Sequence, residues 1–329
     1  MTLLALDIGG TKFAAAHLDA DGTLLRRAER PIGPSPSGTL AALVADFHDP
    51  GLTAIGIGTA GPVDVRAETV SPVNIPQWRD FPLAGAVRRL VPGVEVVLAG
   101  DGQCMALGEW WRGGHGVDSL LGIVVSTGVG GGLILGGRPV LGGTGNAGHI
   151  GHVIVDRDGE PCPCGARGCL ETLASGPAMV RWALANGWTP AGDLAVTADN
   201  AAVQGPVTAR GPVTAKDLAD AARAGDAIPL AAFERAADAL AVAVLNTAAV
   251  VDLHDVVIGG GVAAAGGLLI DPLREHLAKH AGMDFLRHIT VSPTALSRDA
   301  GLYGAAALAL LATGVTPRPT ARGPAPDPS

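Results

Sequence analysis

Asp7-Ile8-Gly9-Gly10-Thr11-Lys12 closes one short apolar run, Leu3 to Ile8, and opens a second, Phe13 to Leu18. Two strand-like runs joined by a glycine turn predict a β-hairpin whose backbone N–H groups lie open to an anion at Gly9 and Gly10, where no side chain intervenes. A phosphate fits such a nest. A P-loop is excluded, because the spacing differs and a strand rather than a helix follows. Alone, Gly-Gly-Thr is more often an ordinary hairpin. The pattern recurs, however, at Ser126-Thr127-Gly128-Val129-Gly130-Gly131-Gly132, between the apolar runs 121–125 and 132–135. Four glycines in five residues weaken a strand unless something approaches it closely, so the repeat favours phosphate binding by Thr127, Gly128, Gly130, Gly131 and Gly132.

Working outward, Asp21-Gly22 is a second hairpin signal, Leu40 to Phe47 reads as helix, and Ala54 to Thr59 and Val94 to Leu98 read as buried strands. Leu230 to Val251 is a long Ala/Leu-rich helix, Val256 to Ile258 a strand ending in Gly259-Gly260-Gly261, and Ala300 to Leu311 a last helix. The apolar helices are too short or too interrupted to span a bilayer, which takes about 20 residues. A chain of 329 residues exceeds one ordinary core and predicts two domains facing a cleft. The expected bounds are 1–119 and 120–298, with the final helix, 299–313, returning to the first domain. Residues 189–213 read as a polar surface insertion and 314–329 as a disordered tail, since Pro, Gly and Ala there lack periodicity.

Composition narrows the function. Hydrophobic residues reach 48% while aromatics are only 3%, and 48 glycines with 24 prolines imply packing by small side chains and many turns. The net charge of −8 argues against nucleic acid as a partner, because phosphate-backbone binding needs clustered Lys and Arg. No export leader or membrane anchor is visible, which predicts a cytoplasmic protein. Three of the four cysteines fall within eight residues, a distribution that suits metal better than disulfides. His152, Cys162, Cys164 and Cys169 form a Cys₃His set, which predicts a structural Zn²⁺ site with no position left for a catalytic water. Cys104 stands apart and is expected in the core. Asp101 follows a strand and precedes a helix, a position that serves equally for a helix cap and for a catalytic carboxylate.

These motifs, in order, resemble the ROK family, sugar kinases and sugar-responsive repressors of the actin/hexokinase superfamily. The resemblance rests on Asp7 to Lys12, Gly58-Thr59-Ala60-Gly61-Pro62-Val63-Asp64, Ser126 to Gly132, and Gly145-Asn146-Ala147-Gly148-His149-Ile150-Gly151-His152. It continues through Cys162-Pro163-Cys164-Gly165-Ala166-Arg167-Gly168-Cys169-Leu170-Glu171 and Gly259 to Gly261, and spans residues 3 to about 311. It implies an α/β fold of two actin-like (ribonuclease H-like) ATPase domains flanking a cleft, and ATP-dependent phosphorylation of a hexose or amino-hexose at its 6-hydroxyl. It further implies Asp101 as general base, Mg²⁺ near Asp7, phosphate contacts from Thr11 and Lys12, adenosine contacts from Gly259, Gly260 and Gly261, and a homodimer. Lys12 reads alternatively as a solvated hairpin lysine. Glu171 and His152 are the implied sugar ligands, with Gly61, Ser71 and Asn74 as further candidates. Zinc is expected to hold His152 so that its second ring nitrogen meets the sugar.

Three positions depart from the kinase pattern. Gly100 stands where the family has the asparagine before the catalytic aspartate, Gln103 replaces the second asparagine, and His149 replaces a glutamate. Two of the lost groups bind sugar hydroxyls in similar glucokinases, so the changes point to an altered substrate such as an amino or N-acetylamino sugar, including 3-amino-3-deoxyglucose. Plain glucose is the alternative, as is a catalytically weak sugar sensor. A repressor would need a DNA-binding segment ahead of Asp7.

Overall fold

The structure is a computed structural model that describes residues 1–72, 74–190, 194–195, 207–208 and 211–321. The surface insertion expected over 189–213 lies largely outside the described residues, as does the end of the tail, 322–329. The chain divides into two compact units: residues 1–122, 131–148 and 294–329 form one, and residues 123–130 and 149–293 the other.

The first unit opens with β1 (Thr2–Ile8), β2 (Lys12–Asp19) and β3 (Leu24–Pro31), then α1 (Pro36–Asp46), β4 (Leu52–Thr59) and a small ribbon of β5 (Val63–Asp64) and β6 (Thr69–Val70). α2 (Leu83–Leu90), β7 (Glu95–Gly100) and α3 (Asp101–Arg112) follow. The sheet order is β3-β2-β1-β4-β7, an antiparallel meander extended by two parallel strands. The unbroken apolar runs of β1 and β4 are buried throughout, as expected of strands covered on both faces. β3 carries Arg26, Arg27, Glu29 and Arg30 and is largely exposed, which blunts the sheet's edge. One face is covered by Leu40, Leu43, Val44, Phe47 and Trp78, with Trp78 stacked on Phe13 and on Phe81.

Across the chain's middle, β8 (Leu120–Val125) and β9 (Val129–Leu135) pass from one unit into the other, and β10 (Arg138–Pro139) ends the hairpin. The second unit continues with α4 (Glu171–Ala174), α5 (Gly176–Ala185), β11 (Leu194–Ala195), β12 (Val207–Thr208), β13 (Gly211–Pro212) and α6 (Ala215–Arg223). Then come α7 (Ala227–Val251), β14 (Asp255–Gly259), α8 (Gly267–His280) and β15 (Thr290–Pro293). The second sheet runs β10-β9-β8-β14-β15. α9 (Ala300–Ala312) closes the chain.

α9 lies in the first unit, and glycine makes its approach possible. A Cβ on Gly304 would stand 1.6 Å from the Cys104 carbonyl oxygen, one on Gly108 2.0 Å from that of Ala300, and one on Gly56 1.8 Å from that of Ala305. Helix α9 therefore packs backbone to backbone on α3 and β4, and Cys104 is buried beneath it. Two expectations need correcting. Residues 131–148 join the first unit rather than a second domain beginning at 120, because the Gln103 amide donates to the carbonyls of Gly145 (3.2 Å) and Ala147 (2.8 Å). Residues 314–321 are ordered against α3: Thr320 N donates to the Trp111 carbonyl at 2.9 Å, and Arg112 reaches the Thr320 hydroxyl at 3.3 Å.

Candidate active site

In the first unit the parallel register aligns the carboxyl ends of three strands. Ile8 pairs with Thr59 and Thr59 with Gly100, so Asp7, the Ala60-Gly61 turn and Asp101 all sit at the same edge of the sheet. This edge is where open α/β sheets place their ligands. Asp101 begins α3 behind Gly100 and is exposed, and Gly102 N donates to its Oδ1 at 2.7 Å. Asp7 is half-buried. Burial, and next the neighbouring charge of Asp101, push its carboxyl up to about 7, against the opposing pull of Lys12 and Arg27 and with a further push from Asp299. Gly301, at the start of α9, leaves the space: its Cβ would stand 3.3 Å from Asp7 Oδ2. Two carboxylates thus share a sheet edge with too little positive charge between them, an arrangement a divalent cation would relieve.

Around this row the other expected residues take distinct positions. Gly10 has the Asn74 side chain folded over it, with Nδ2 2.5 Å from where a Cβ would be. Ser71 is tied down, accepting from Asp80 N at 2.9 Å and donating its own N–H to the Pro62 carbonyl, beyond the cis Gly61–Pro62 bond. Lys12 spends its ammonium on Glu29, 2.9 Å away on β3, and Arg27 bridges the same carboxylate and Asp299. That geometry matches the hairpin-lysine alternative.

Gly100 and Gln103 explain each other. Gly100 N donates to Gln103 Oε1 at 3.0 Å, closing the start of α3, while the amide nitrogen holds the 145–147 loop. A Cβ at Gly100 would meet Gln103 Oε1 at an ordinary 3.5 Å, so the missing side chain leaves room beside Asp101.

In the second unit the glycine turn splits by role. The space of a Cβ at Gly128 is taken by Glu171 Oε2, which accepts from Val129 N at 2.9 Å; Glu171 reaches there from the first turn of α4. Gly130 faces open space. Gly176 N donates to the Ser126 carbonyl at 2.8 Å and Val262 N to that of Val125 at 3.0 Å, so the N-terminus of α5 and the Gly259–Gly261 turn both border the segment. Gly260 has φ +96° with its α-carbon pressed on the Val125 backbone, a position closed to larger residues.

Gly131 and Gly132 belong to the first unit and have a packing role that the sequence reading did not give them. A Cβ on Gly132 would fall 2.5 Å from the Gln103 α-carbon, and one on Gly102 2.6 Å from the backbone of Gly131. These glycines let β9 lie against α3.

The clustered thiols and His152 converge. His152 Nδ1 is 3.7 Å from Cys162 Sγ, Cys164 Sγ is 3.7 Å from Cys169 Sγ, and all four donor atoms lie within 4.8 Å of one another. A tetrahedral ion with metal–sulfur bonds of about 2.3 Å has edges of about 3.8 Å, so the donor set and its size fit zinc. Gly165, at φ +96°, and Gly168, at φ +66°, turn the loop; a Cβ at Gly168 would collide with the Asp156 carbonyl. Burial pushes the Cys169 thiol up to about 12, while a backbone N–H from Ala166 lowers that of Cys164. Since Nδ1 faces the thiols, Nε2 of His152 points elsewhere, and the His149 ring stacks beside it at 6.3 Å.

Two functional supports were missed by the sequence reading. Asn146 holds Val63 from both sides, accepting from its N–H at 3.1 Å and donating to its carbonyl at 2.7 Å. Glu109, fully buried, accepts from His115, from the Thr294 hydroxyl and from the N–H groups of Ala295 and Leu296; burial works against its charge, but these donors outweigh it and lower its pKa. Asn146 lies within a motif quoted above, and Glu109 lies in none. Their partners, 83 and 185 residues away, give no local signal.

Among known proteins, a family model described as the ROK family matches residues 3–312. A glucokinase of Thermotoga maritima is 33% identical over 318 residues, covering 94% of this chain and 97% of the relative. An N-acetylmannosamine kinase of Yersinia pseudotuberculosis is 34% identical over 311 residues, covering 92% and 96%. A solved ROK family glucokinase of Streptomyces griseus, in complex with glucose and AMPPNP, superposes with a TM-score of 0.76 at 35% identity, over 94% of this chain and all of that one. Among the described residues, no helix is long and apolar enough to cross a membrane.

Proposed function

This chain belongs to the ROK family and is a sugar kinase, and we propose on that premise that it uses ATP to phosphorylate the 6-hydroxyl of an amino- or N-acetylamino-hexose with Asp101 as general base. The observation that carries the reading is the pair Asp7 and Asp101 at one edge of a parallel sheet, the first half-buried and the second exposed at a helix start. In phosphoryl transfer a base takes the hydroxyl proton while the acceptor oxygen is held in line with the phosphorus. Asp101 suits the first task, because its carboxylate is exposed at the sheet edge, at the start of a helix. Asp7 suits a different one: with Mg²⁺ present, its carboxylate would help hold an ion that neutralises phosphate charge. Exclusion of water would protect ATP from hydrolysis.

The glycine turns at Gly9-Gly10, Thr127 to Gly130 and Gly259 to Gly261 are the phosphate and adenosine contacts in this reading, with Thr11 beside the first. Glu171, His149 and His152 are the sugar-hydroxyl ligands. Zn²⁺ held by His152, Cys162, Cys164 and Cys169 fixes the loop that leads into Glu171, and an unoxidised thiolate set is in keeping with the cytoplasm. The family resemblance supports a homodimer.

The amino-sugar preference rests on Gly100, whose missing side chain leaves room beside Asp101, and separately on His149, which exchanges an anionic acceptor for a ring that donates or accepts. Plain glucose is the second reading, since glucokinase and N-acetylmannosamine kinase relatives match at 33% and 34% identity and overall similarity does not separate them. ADP release should be measured with glucose, mannose, their 2-amino and N-acetyl derivatives and 3-amino-3-deoxyglucose. The highest kcat/KM is expected for an amino or acetamido sugar; glucose in first place sinks that part and leaves the kinase. Asp101→Asn should fold, retain zinc and lose about 10²–10⁴ in kcat; near-normal turnover removes Asp101 from the chemistry. A metal analysis finding no zinc would remove the thiolate site.

A further inference from the structure

α7 and α8 each carry two ionisable side chains one turn apart, Glu234 and Asp238 on the first and His276 and His280 on the second. Four-residue spacing puts each pair on one face of its helix. The faces meet: His276 Nε2 lies 2.9 Å from Glu234 Oε1, His276 Nδ1 3.0 Å from Asp238 Oδ1, and His280 Nε2 2.7 Å from that same oxygen. The two imidazoles stack at 5.7 Å with 13° between their planes. The His276 side chain is only 12% exposed, and its Nδ1 is buried with no hydrogen-bond partner.

A neutral imidazole has one N–H. Donated from Nε2 to Glu234, it leaves a lone pair on Nδ1 beside a carboxylate oxygen 3.0 Å away. Two electron-rich atoms at that separation need positive charge between them. A second ring proton would serve if Asp238 lay along the N–H axis, but the contact does not meet hydrogen-bond geometry. An ion on that axis, about 2.1 Å out and with its nitrogen and oxygen ligands at right angles, would separate the two ligands by about 3.0 Å and place the oxygen off axis. His280 Nε2, close to the same oxygen, supplies a third donor.

We infer a second cation site on this chain, in which His276 Nδ1, His280 Nε2 and Asp238 hold a first-row divalent ion of the nickel–copper class and Glu234 fixes the ring of His276. Nitrogen and oxygen donors at right angles select such an ion over magnesium or calcium, and the lack of sulfur separates the site from the thiolate cluster. The carboxylate on the far ring nitrogen sets the tautomer that ligation needs. The ion would staple α7 to α8.

The test is a calorimetric titration of the zinc-loaded full-length protein with Ni²⁺, alongside thermal melting. One further equivalent should bind and raise the melting midpoint. His280→Asn and Asp238→Asn should each weaken binding at least about tenfold and abolish the shift, while Glu234→Gln should weaken it by about tenfold. Absence of binding to the parent chain overturns the site. Unchanged affinity in both His280→Asn and Asp238→Asn overturns it too. The nickel spectrum of the parent decides without any variant: weak ligand-field bands alone are expected, and strong near-ultraviolet thiolate charge transfer would show the nickel in the cysteine cluster and overturn the inference.

Discussion

The turns after β1 and β8 are written alike, an apolar strand, a glycine cluster and a second strand, yet each is built around a different carboxylate. At the first turn the carboxylate is Asp7, part of the strand itself, half-buried and crowded by the charge of Asp101. At the second it is Glu171, brought in from α4 and satisfied by Val129 N. The glycines differ to match. Gly10 lies under a movable side chain, Asn74, whereas Gly132 lies against the immovable backbone of α3. A glycine cluster therefore reports close approach without saying whether ligand, side chain or main chain approaches.

The largest effect should come from filling the second turn's packed end. Gly132→Ala places a methyl 2.5 Å from the Gln103 α-carbon, where only backbone movement relieves it. A loss of about 3 kcal/mol is expected, at the upper end of usual overpacking costs. Gly10→Ala, meeting the Asn74 side chain from Nδ2 at 2.5 Å back to Cβ at 3.0 Å but no backbone atom among its nearest neighbours, should cost about 1 kcal/mol. Urea unfolding of both variants checks the contrast, and equal losses would mean that the two turns are built alike after all.

The carboxylates differ in how pH acts on them. Asp7, raised by burial and by Asp101 from 3.8 to about 7, keeps its proton in the folded chain over a range in which the unfolded chain releases it. Its contribution to stability is thus fully present below about pH 4, declines as pH rises through about 7 and is lost above, by up to about 4 kcal/mol. Asp7→Asn should flatten this decline and raise the melting midpoint at pH 8 but not at pH 4, while abolishing turnover. Added Mg²⁺ should reproduce the pH 8 gain in the parent and not in the variant. A parent midpoint that is level from pH 4 to 8 contradicts the burial argument.

What the sequence disclosed follows from how far each signal reaches. The thiolate cluster was legible because its three cysteines and two positive-φ glycines fall within eight residues. Asp7 and Asp101 were legible because each ends an apolar run, and parallel pairing brings strand ends together. Gln103 and Glu109 were not: each looks like an ordinary helical polar residue until the loops at 145–147 and 294–296 fold onto it. The packing role of Gly131 and Gly132 was hidden for the same reason, since the helix they accommodate is written about 30 residues earlier. The tail at 314–321 lacks periodicity because it is irregular chain tied to the end of α3 through Thr320 rather than through an amphipathic face.

Glu171→Gln keeps the shape of the second turn's carboxylate and removes its charge. The hydrogen bond from Val129 N survives in weaker form, so a stability loss of about 1 kcal/mol is expected, together with a rise in sugar KM if Glu171 also binds a hydroxyl. A stability loss with unchanged sugar KM would make Glu171 a brace for the turn and nothing more.

Gly130→Ala should change stability least and discriminates best. No atom lies within 4 Å of the Cβ it would add, and the backbone there needs no left-handed conformation, so the folded chain accepts the methyl at a cost within about 0.5 kcal/mol. If the backbone of this turn receives a nucleotide phosphate, the methyl stands where the phosphate must come, and KM for ATP should rise at least about tenfold with the sugar KM and melting midpoint unchanged. Of the glycines in this turn, Gly130 alone has no protein neighbour to account for it among those whose surroundings are described. An unchanged KM for ATP would leave the whole cluster explained by Glu171 and α3, and would move nucleotide binding away from the second turn.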